Sequence, residues 1–212
     1  MRVLVTGGAK RLGAAIVRAV AAAGHVPVIH YSRSVEAARA LAEETGGAAI
    51  DADLADPAAA ATLIARAAAA AGGPIEGLVN SASTFEEDRF DAIDPVLAAR
   101  LHQINCVSPA MLSVALSAQP RLGEGAVVNL LDQKVANPNP DYFSYSLTKF
   151  ALEGATAMLA KALAPRVRVN AVSPGLTLPS GDQDAAAFDA VARANLLRRP
   201  VGAEAVAEAV VW

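Results

Sequence analysis

The N-terminal run Arg2-Val3-Leu4-Val5-Thr6-Gly7-Gly8-Ala9-Lys10-Arg11-Leu12-Gly13 most narrows what this chain can fold into. A short apolar strand enters a glycine turn, and a helix with one apolar face leaves it. Leu12, Ala15, Ile16, Ala19, Val20 and Ala23 mark that face at helical spacing, and Gly24 stands where the helix must end. Glycine in the turn lets backbone approach a pyrophosphate. The helix N-terminus adds free N–H groups and the positive end of its dipole. Gly13 allows the helix to lie close on the sheet. Tight turns need glycine anyway, so the order strand, turn, amphipathic helix carries the signal.

The alternation continues down the chain. Apolar runs at 3–5, 26–29, 48–50, 77–79, 126–131 and 167–172 are separated by helical patterns, which predicts βαβ units and a parallel sheet. Asp56-Pro57 opens one helix, with Asp as cap and Pro in the first turn, and Gly72-Gly73-Pro74 stops it. Long helices are expected over 94–117 and 144–163, a weak one over 185–194 and a final one over 203–212. Residues 179–184 read as a loop. The 212 residues contain no repeat and no interdomain linker, so residues 1–212 read as one doubly wound α/β domain of Rossmann type.

Composition removes several function classes. Net charge is −3 with no basic stripe, which argues against nucleic-acid and acidic-membrane partners. The single cysteine, Cys106, has no partner for a disulfide and no metal set around it, so it reads as a small buried hydrophobe. No signal segment precedes the first strand. The alanine-rich stretch 58–71 is broken by Thr62 and Arg66, so it is no membrane span. The expected setting is the cytoplasm, and no metal is expected.

The string Val28-Ile29-His30-Tyr31-Ser32-Arg33-Ser34 bears on the choice of nucleotide. An acid after the second strand would bond a ribose 2′-hydroxyl and repel a 2′-phosphate. None is present. Arg33 and Ser34 offer a charged fork and a hydroxyl to a phosphate instead, and Arg11 could point to the same place from the adjacent turn. The expected cofactor is therefore NADP(H), on the missing acid more than on Arg33, which has an alternative as a solvated loop residue.

Tyr145 and Lys149 form a Y-x-x-x-K. Positions i and i+4 share a helix face, so phenol and ammonium sit together. The cation is expected to lower the tyrosine pKa and ready Tyr145 to give a proton as hydride arrives. A Y-x-x-x-K arises often by chance. Here Asp132 closes the fifth apolar run, Asn105 sits in the preceding long helix, and Ser173-Pro174-Gly175 follows the sixth run.

Together these spacings resemble the short-chain dehydrogenase/reductase family, and the likeness covers nearly the whole chain. Its glycine pattern is T-G-x-x-x-G-x-G. The form here, with Arg11 at the middle glycine, is similar to its pteridine reductase branch, as are the H-Y-x-R-S string and Asn80-Ser81-Ala82-Ser83 in place of N-N-A-G. The resemblance implies that Gly7, Lys10, Arg11, Leu12, His30, Tyr31, Arg33, Ser34, Asp53, Leu54, Ser81, Ala82, Ser83, Tyr145, Lys149, Pro174, Gly175 and Thr177 border the nucleotide. Asp53 has an alternative as a helix-start acid. The resemblance also implies that Asn105 helps hold a relay water leading to Lys149, and that Phe85 stacks on a flat ring, though core filler is an equal reading of Phe85 from the residues alone. Ser83, Tyr142, Asp132 and Tyr145 complete the implied substrate pocket.

Position 132 normally carries serine in the family. An ionised Asp132 cannot donate to a carbonyl, but it accepts from a ring nitrogen or amino group, and if desolvated it can donate. That suits a pteridine C=N bond better than a simple ketone. The sequence thus supports an NADPH-dependent pteridine-like reductase. A ketone or 3-oxoacyl reductase with an altered serine site, and a non-catalytic NADP(H)-binding regulator, are the alternatives. Family members continue for a few dozen residues into a seventh strand and build a tetramer there. This sequence stops within its last helix at Val210-Val211-Trp212, so a truncated record or a missing last segment, and a sheet without that strand, are expected.

Overall fold

The computed structural model describes residues 1–180 and 184–212. Six parallel strands form one sheet, β1 (Arg2–Thr6), β2 (Val26–Tyr31), β3 (Ala48–Asp51), β4 (Gly77–Asn80), β5 (Gly125–Leu130) and β6 (Val167–Val172). Their order is β3-β2-β1-β4-β5-β6. The chain winds outward from β1 to β3, then crosses back to β4. Beyond the carboxyl ends of β1 and β4 the connections diverge, and this is where open α/β sheets bind ligands.

Strand side chains alternate between two buried layers. Val3 and Val5 face one side, packed with Ile16, Val17 and Val20 of α1 (Arg11–Ala22), Leu41 of α2 (Val35–Thr45) and Val206 of α8 (Ala203–Val211). Leu4 faces the other side, with Leu63 and Ile64 of α3 (Pro57–Ala70) and Leu112 and Leu116 of α5 (Ser108–Ser117). The remaining helices are α4 (Pro95–His102), α6 (Phe143–Leu163) and α7 (Ala185–Ala194). No helix of the described residues is long and apolar enough to cross a membrane.

Helix ends follow their local chemistry. Asp56 Oδ1 accepts from Ala58 N at 2.9 Å and Pro57 opens α3, as expected. Gly24 (φ +80°) turns the chain out of α1. Two details differ from the sequence reading. Ala23 is exposed, and Gly13, Ala14 and Val17 extend the buried stripe instead. Helix α2, unread in the sequence, has its signal in Ala38, Leu41 and Ala42, all buried on one face.

The single helix expected over 94–117 is interrupted. Asp94 caps α4 through Val96 N and Leu97 N, and a π-turn, Gln103–Val107, joins α4 to α5. Pro109 in the first turn of α5 has no N–H for the Asn105 carbonyl four residues back, so the ladder slips by one residue there. Asn105 lies within this bulge. Of the loop expected over 179–184, residues 181–183 lie outside the described residues.

Candidate active site

The glycine turn is shaped by contacts that only glycine permits. Gly7 has φ +63°, and a Cβ there would stand 2.8 Å from Ala82 Cα. A Cβ on Gly13 would stand 2.1 Å from the Gly7 carbonyl oxygen. Helix α1 therefore starts directly on the turn. Thr6 Oγ1 accepts from Ser81 N and Ala82 N, both at 3.0 Å, stitching the ends of β1 and β4 together. The N-cap of α1, Lys10, supplies no side-chain cap, so first-turn N–H groups stay open to a ligand. A negatively charged pyrophosphate fits this cradle.

Arg11 departs from its expected direction. Its backbone is left-handed (φ +53°), and its guanidinium donates to the Pro179 carbonyl in the loop after β6. It bridges the glycine turn to that loop rather than pointing toward Arg33. Arg33 is exposed and makes no hydrogen bond or ion pair among the described residues. Ser34 and Tyr31 are half-buried beside it, and Leu12 is half-buried on α1.

His30 also differs from a nucleotide contact. The ring is 2% exposed. Gly7 N donates to Nδ1 at 3.0 Å, so Nδ1 is unprotonated and Nε2–H donates to Ala52 O at 3.1 Å. Both nitrogens are used inside the protein, tying the glycine turn to the end of β3. Asp53 and Leu54 follow. Asp53 is exposed and accepts from Ala55 N, whereas the Leu54 side chain is buried in the core.

Burial pushes the His30 pKa down to about 4, against the Ala52 carbonyl, which pulls it up. The unfolded imidazole takes a proton near pH 6.5, so between pH 6.5 and 4 the unfolded chain holds more protons than the folded one. His30 should therefore cost up to about 3 kcal/mol of stability as pH falls through that window. Denaturant unfolding at pH 6.5 and 4.5 checks this. The expected result is a pH dependence that shrinks in His30→Gln; an equal slope in both proteins would refute it.

Tyr145 and Lys149 sit in the first two turns of α6, both buried. The Tyr145 hydroxyl donates to Asp132 Oδ2 at 2.9 Å. Asp132 is held from behind, since Oδ1 accepts from Lys134 N at 2.9 Å. Lys149 Nζ donates to the Leu130 carbonyl at 2.9 Å and lies 5.5 Å from the Tyr145 ring centre. Burial lowers the Lys149 pKa to about 8, opposed by Asp132 and Cys106.

The expected lowering of the Tyr145 pKa is not what this arrangement produces. Burial raises it first, and the charge and hydrogen bond of Asp132 raise it further. The ammonium lies toward the ring, while the carboxylate lies at the hydroxyl itself. The phenol is kept protonated, which is the state a proton donor requires.

Asn105 is 1% exposed and its amide is saturated. Oδ1 accepts from Thr84 N at 2.9 Å and Ser83 Oγ at 3.2 Å, and Nδ2 donates to Thr84 O and Thr148 Oγ1. Its side chain thus clamps the segment after β4 and is not in hydrogen-bond contact with Lys149. The aromatic residues gather at the mouth. Phe85 is 41% exposed, stacks on Tyr142 at 4.0 Å, and meets Tyr145 edge-on at 4.7 Å. On the far wall Pro174 O accepts from Gln133 N at 3.0 Å, and Thr177 Oγ1 donates to Gly175 O. These bonds place residues 174–177 beside the turn that starts at Asp132.

A family model described as enoyl-(acyl carrier protein) reductase matches residues 7–212. The chain belongs to the short-chain dehydrogenase/reductase family. The chain is 32% identical to pteridine reductase 1 of Leishmania tarentolae, over 99% of this chain and 88% of that protein. It is 33% identical to bovine (Bos taurus) L-xylulose reductase, over 99% of this chain and 85% of that one. Among solved structures, FolM alternative dihydrofolate reductase 1 of Brucella canis, complexed with NADP, superposes with a TM-score of 0.93 at 40% identity, covering 99% of this chain and 85% of that one. The Brucella suis protein, also with NADP, gives 0.94 at 39%, covering 99% and 86%.

Several contacts that support this short-chain reductase site were not evident in the sequence. Asn80 and Asn129 pair side by side on β4 and β5, Asn80 Nδ2 donating to Asn129 Oδ1 at 2.8 Å. Asn129 Nδ2 donates to Thr156 Oγ1 of α6, so a buried polar ladder ties the sheet to the helix that carries Tyr145 and Lys149. Asp88 anchors the start of α6 by accepting from Ser144 N. Asn80 was read only as the start of the N-x-A-S string, and an asparagine inside the fifth apolar run, Asn129, was the only hint of its partner.

Proposed function

We propose that this short-chain reductase uses NADPH to reduce a C=N bond of a pteridine-like ring, with Tyr145 as proton donor. The observation that carries the reading is an aspartate at the hydroxyl of Tyr145, whose ring meets the Phe85–Tyr142 stack edge-on. An acceptor at that position suits the amino and ring N–H groups of a pterin, and the exposed Phe85 suits its flat ring. The likeness to pteridine reductase and to the NADP-bound FolM proteins supports the same conclusion. NADPH supplies the hydride. The open turn and the N-terminus of α1 hold its pyrophosphate. Arg33 and Ser34 take the 2′-phosphate, where no acid stands to repel it. Tyr31 and the main chain of 53–54 and 81–83 flank the adenosine, with His30 holding the turn in shape. Residues 174–177 border the nicotinamide.

Within the pocket Asp132 orients the substrate, and Tyr145 passes its phenolic proton to the nitrogen that receives no hydride. Lys149 replaces that proton. The Asn105 carbonyl, which Pro109 cannot serve, is the acceptor for the relay water. Residues 1–212 act as one domain. The exposed side chains Val96, Val114 and Met158 on α4, α5 and α6 suit burial against another copy, and we assign a homo-oligomer, a tetramer by family resemblance, working in the cytoplasm.

The test is NADPH oxidation with dihydrobiopterin, dihydrofolate and a ketone panel, repeated with NADH. Turnover of the pteridines with clear preference for NADPH is expected. Turnover of ketones alone would replace this reading with a carbonyl reductase, and NADPH binding without any turnover would point to a regulator.

A further inference from the structure

The segment carrying Phe85 is fastened at both ends by side chains from elsewhere. At one end Asn105 grips both the N–H and the C=O of Thr84. At the other end Asp88, 8% exposed, is aimed at the start of α6. Its Oδ1 accepts from Ser144 N at 2.8 Å, its Oδ2 accepts from Ser144 Oγ, and its carbonyl accepts from Phe143 N at 3.3 Å. Helix α6 needs this help. Its own N-cap, Tyr142, is left-handed (φ +52°) and offers no side-chain cap. A carboxylate from another segment supplies the missing acceptor, and its charge suits the positive end of the helix.

The consequence lies in what the two segments carry. Tyr145 directly follows Ser144, and Phe85 lies three residues before Asp88. Phe85 stacks on Tyr142 and touches Tyr145. We propose that Asp88 is a positioning residue of the reaction: it locks the Phe85–Tyr142 platform in register with the Tyr145 hydroxyl, so that a flat substrate ring lies with its C=N bond at the proton donor. This rests on the pteridine reading of the site. The proposed phosphate contacts of NADPH come from the ends of β1 and β2 and the start of α1, and none of them depends on Asp88.

The test compares wild type with Asp88→Ala, Asp88→Asn and Ser144→Ala. In Asp88→Ala, kcat/KM for dihydrobiopterin should fall about 10- to 100-fold, the range a misplacement near 1 Å produces. NADPH affinity, read by fluorescence titration, should stay within about two-fold, since the phosphate contacts are untouched. Near-ultraviolet circular dichroism should lose the part of the signal that Phe85→Ala also removes. Asp88→Asn should recover most of both losses, because its amide still accepts from Ser144 N and donates to Ser144 Oγ. Ser144→Ala removes one arm only and should lower kcat/KM several-fold; it decides the matter if Asp88→Ala does not fold. Wild-type kcat/KM and an unchanged aromatic signal in the folded variants would overturn the proposal. So would a loss of NADPH affinity equal to the loss of turnover, which would mean general unfolding. If wild type itself does not reduce dihydrobiopterin, the pteridine reading fails, while the aromatic signal and NADPH affinity still decide the role of Asp88.

Discussion

Tyr145→Phe should reduce turnover about 10²- to 10⁴-fold, the range that a positioned general acid contributes, while NADPH continues to bind. The hydroxyl is the group that Asp132 orients, at 2.9 Å, and burial together with that carboxylate keeps it protonated. Phenylalanine fills the same space, so the edge-on contact with Phe85 and the ammonium over the ring survive. Only the transferable proton is lost. Single-turnover kinetics with NADPH and dihydrobiopterin, alongside NADPH titration, separate the two effects. Turnover near the wild-type level would remove Tyr145 from the chemistry. Loss of NADPH affinity would assign it to cofactor binding instead.

Gly13→Ala should abolish tight NADPH binding and cost roughly 1–3 kcal/mol of stability, as forced overpacking does. The added methyl would stand 2.1 Å from the Gly7 carbonyl oxygen and 3.0 Å from Gly8 Cα. Both are backbone atoms, so no side chain can swing aside. Either α1 lifts off the turn or the turn opens, and each movement pulls the first-turn N–H groups away from a bound pyrophosphate. His30 would be disturbed too, because Gly7 N is its partner. Thermal unfolding and NADPH fluorescence titration check this. A variant with wild-type affinity would show that the turn is not the phosphate cradle.

Much of the fold was legible because the signals are local. Six apolar runs became six strands, and Asp56-Pro57, Gly24 and Gly72 marked helix ends through backbone preferences of single residues. Helix α2 passed unread because its stripe is short and alanine-rich. The break at Asn105 was hidden because it depends on a missing N–H at Pro109, four residues on. In the site, the glycine turn and Tyr145–Lys149 carried fixed spacings that a sequence displays directly. Asp88 carried none, since its partner Ser144 is 56 residues away.

The Tyr145–Lys149 pair marks the division. The sequence by itself determined that phenol and ammonium share a helix face, because helical geometry makes that a matter of spacing. It also determined the strand–turn–helix cradle and the absence of an acid after β2. Only the tertiary structure decided how the phenol is tuned. The ammonium turned to the Leu130 carbonyl and the ring, and the carboxylate of Asp132 arrived at the hydroxyl from another strand end. A pKa follows from burial and from which charge lies nearest the titrating atom. Both are properties of packing, so the spacing that paired the residues could not supply the sign of the shift.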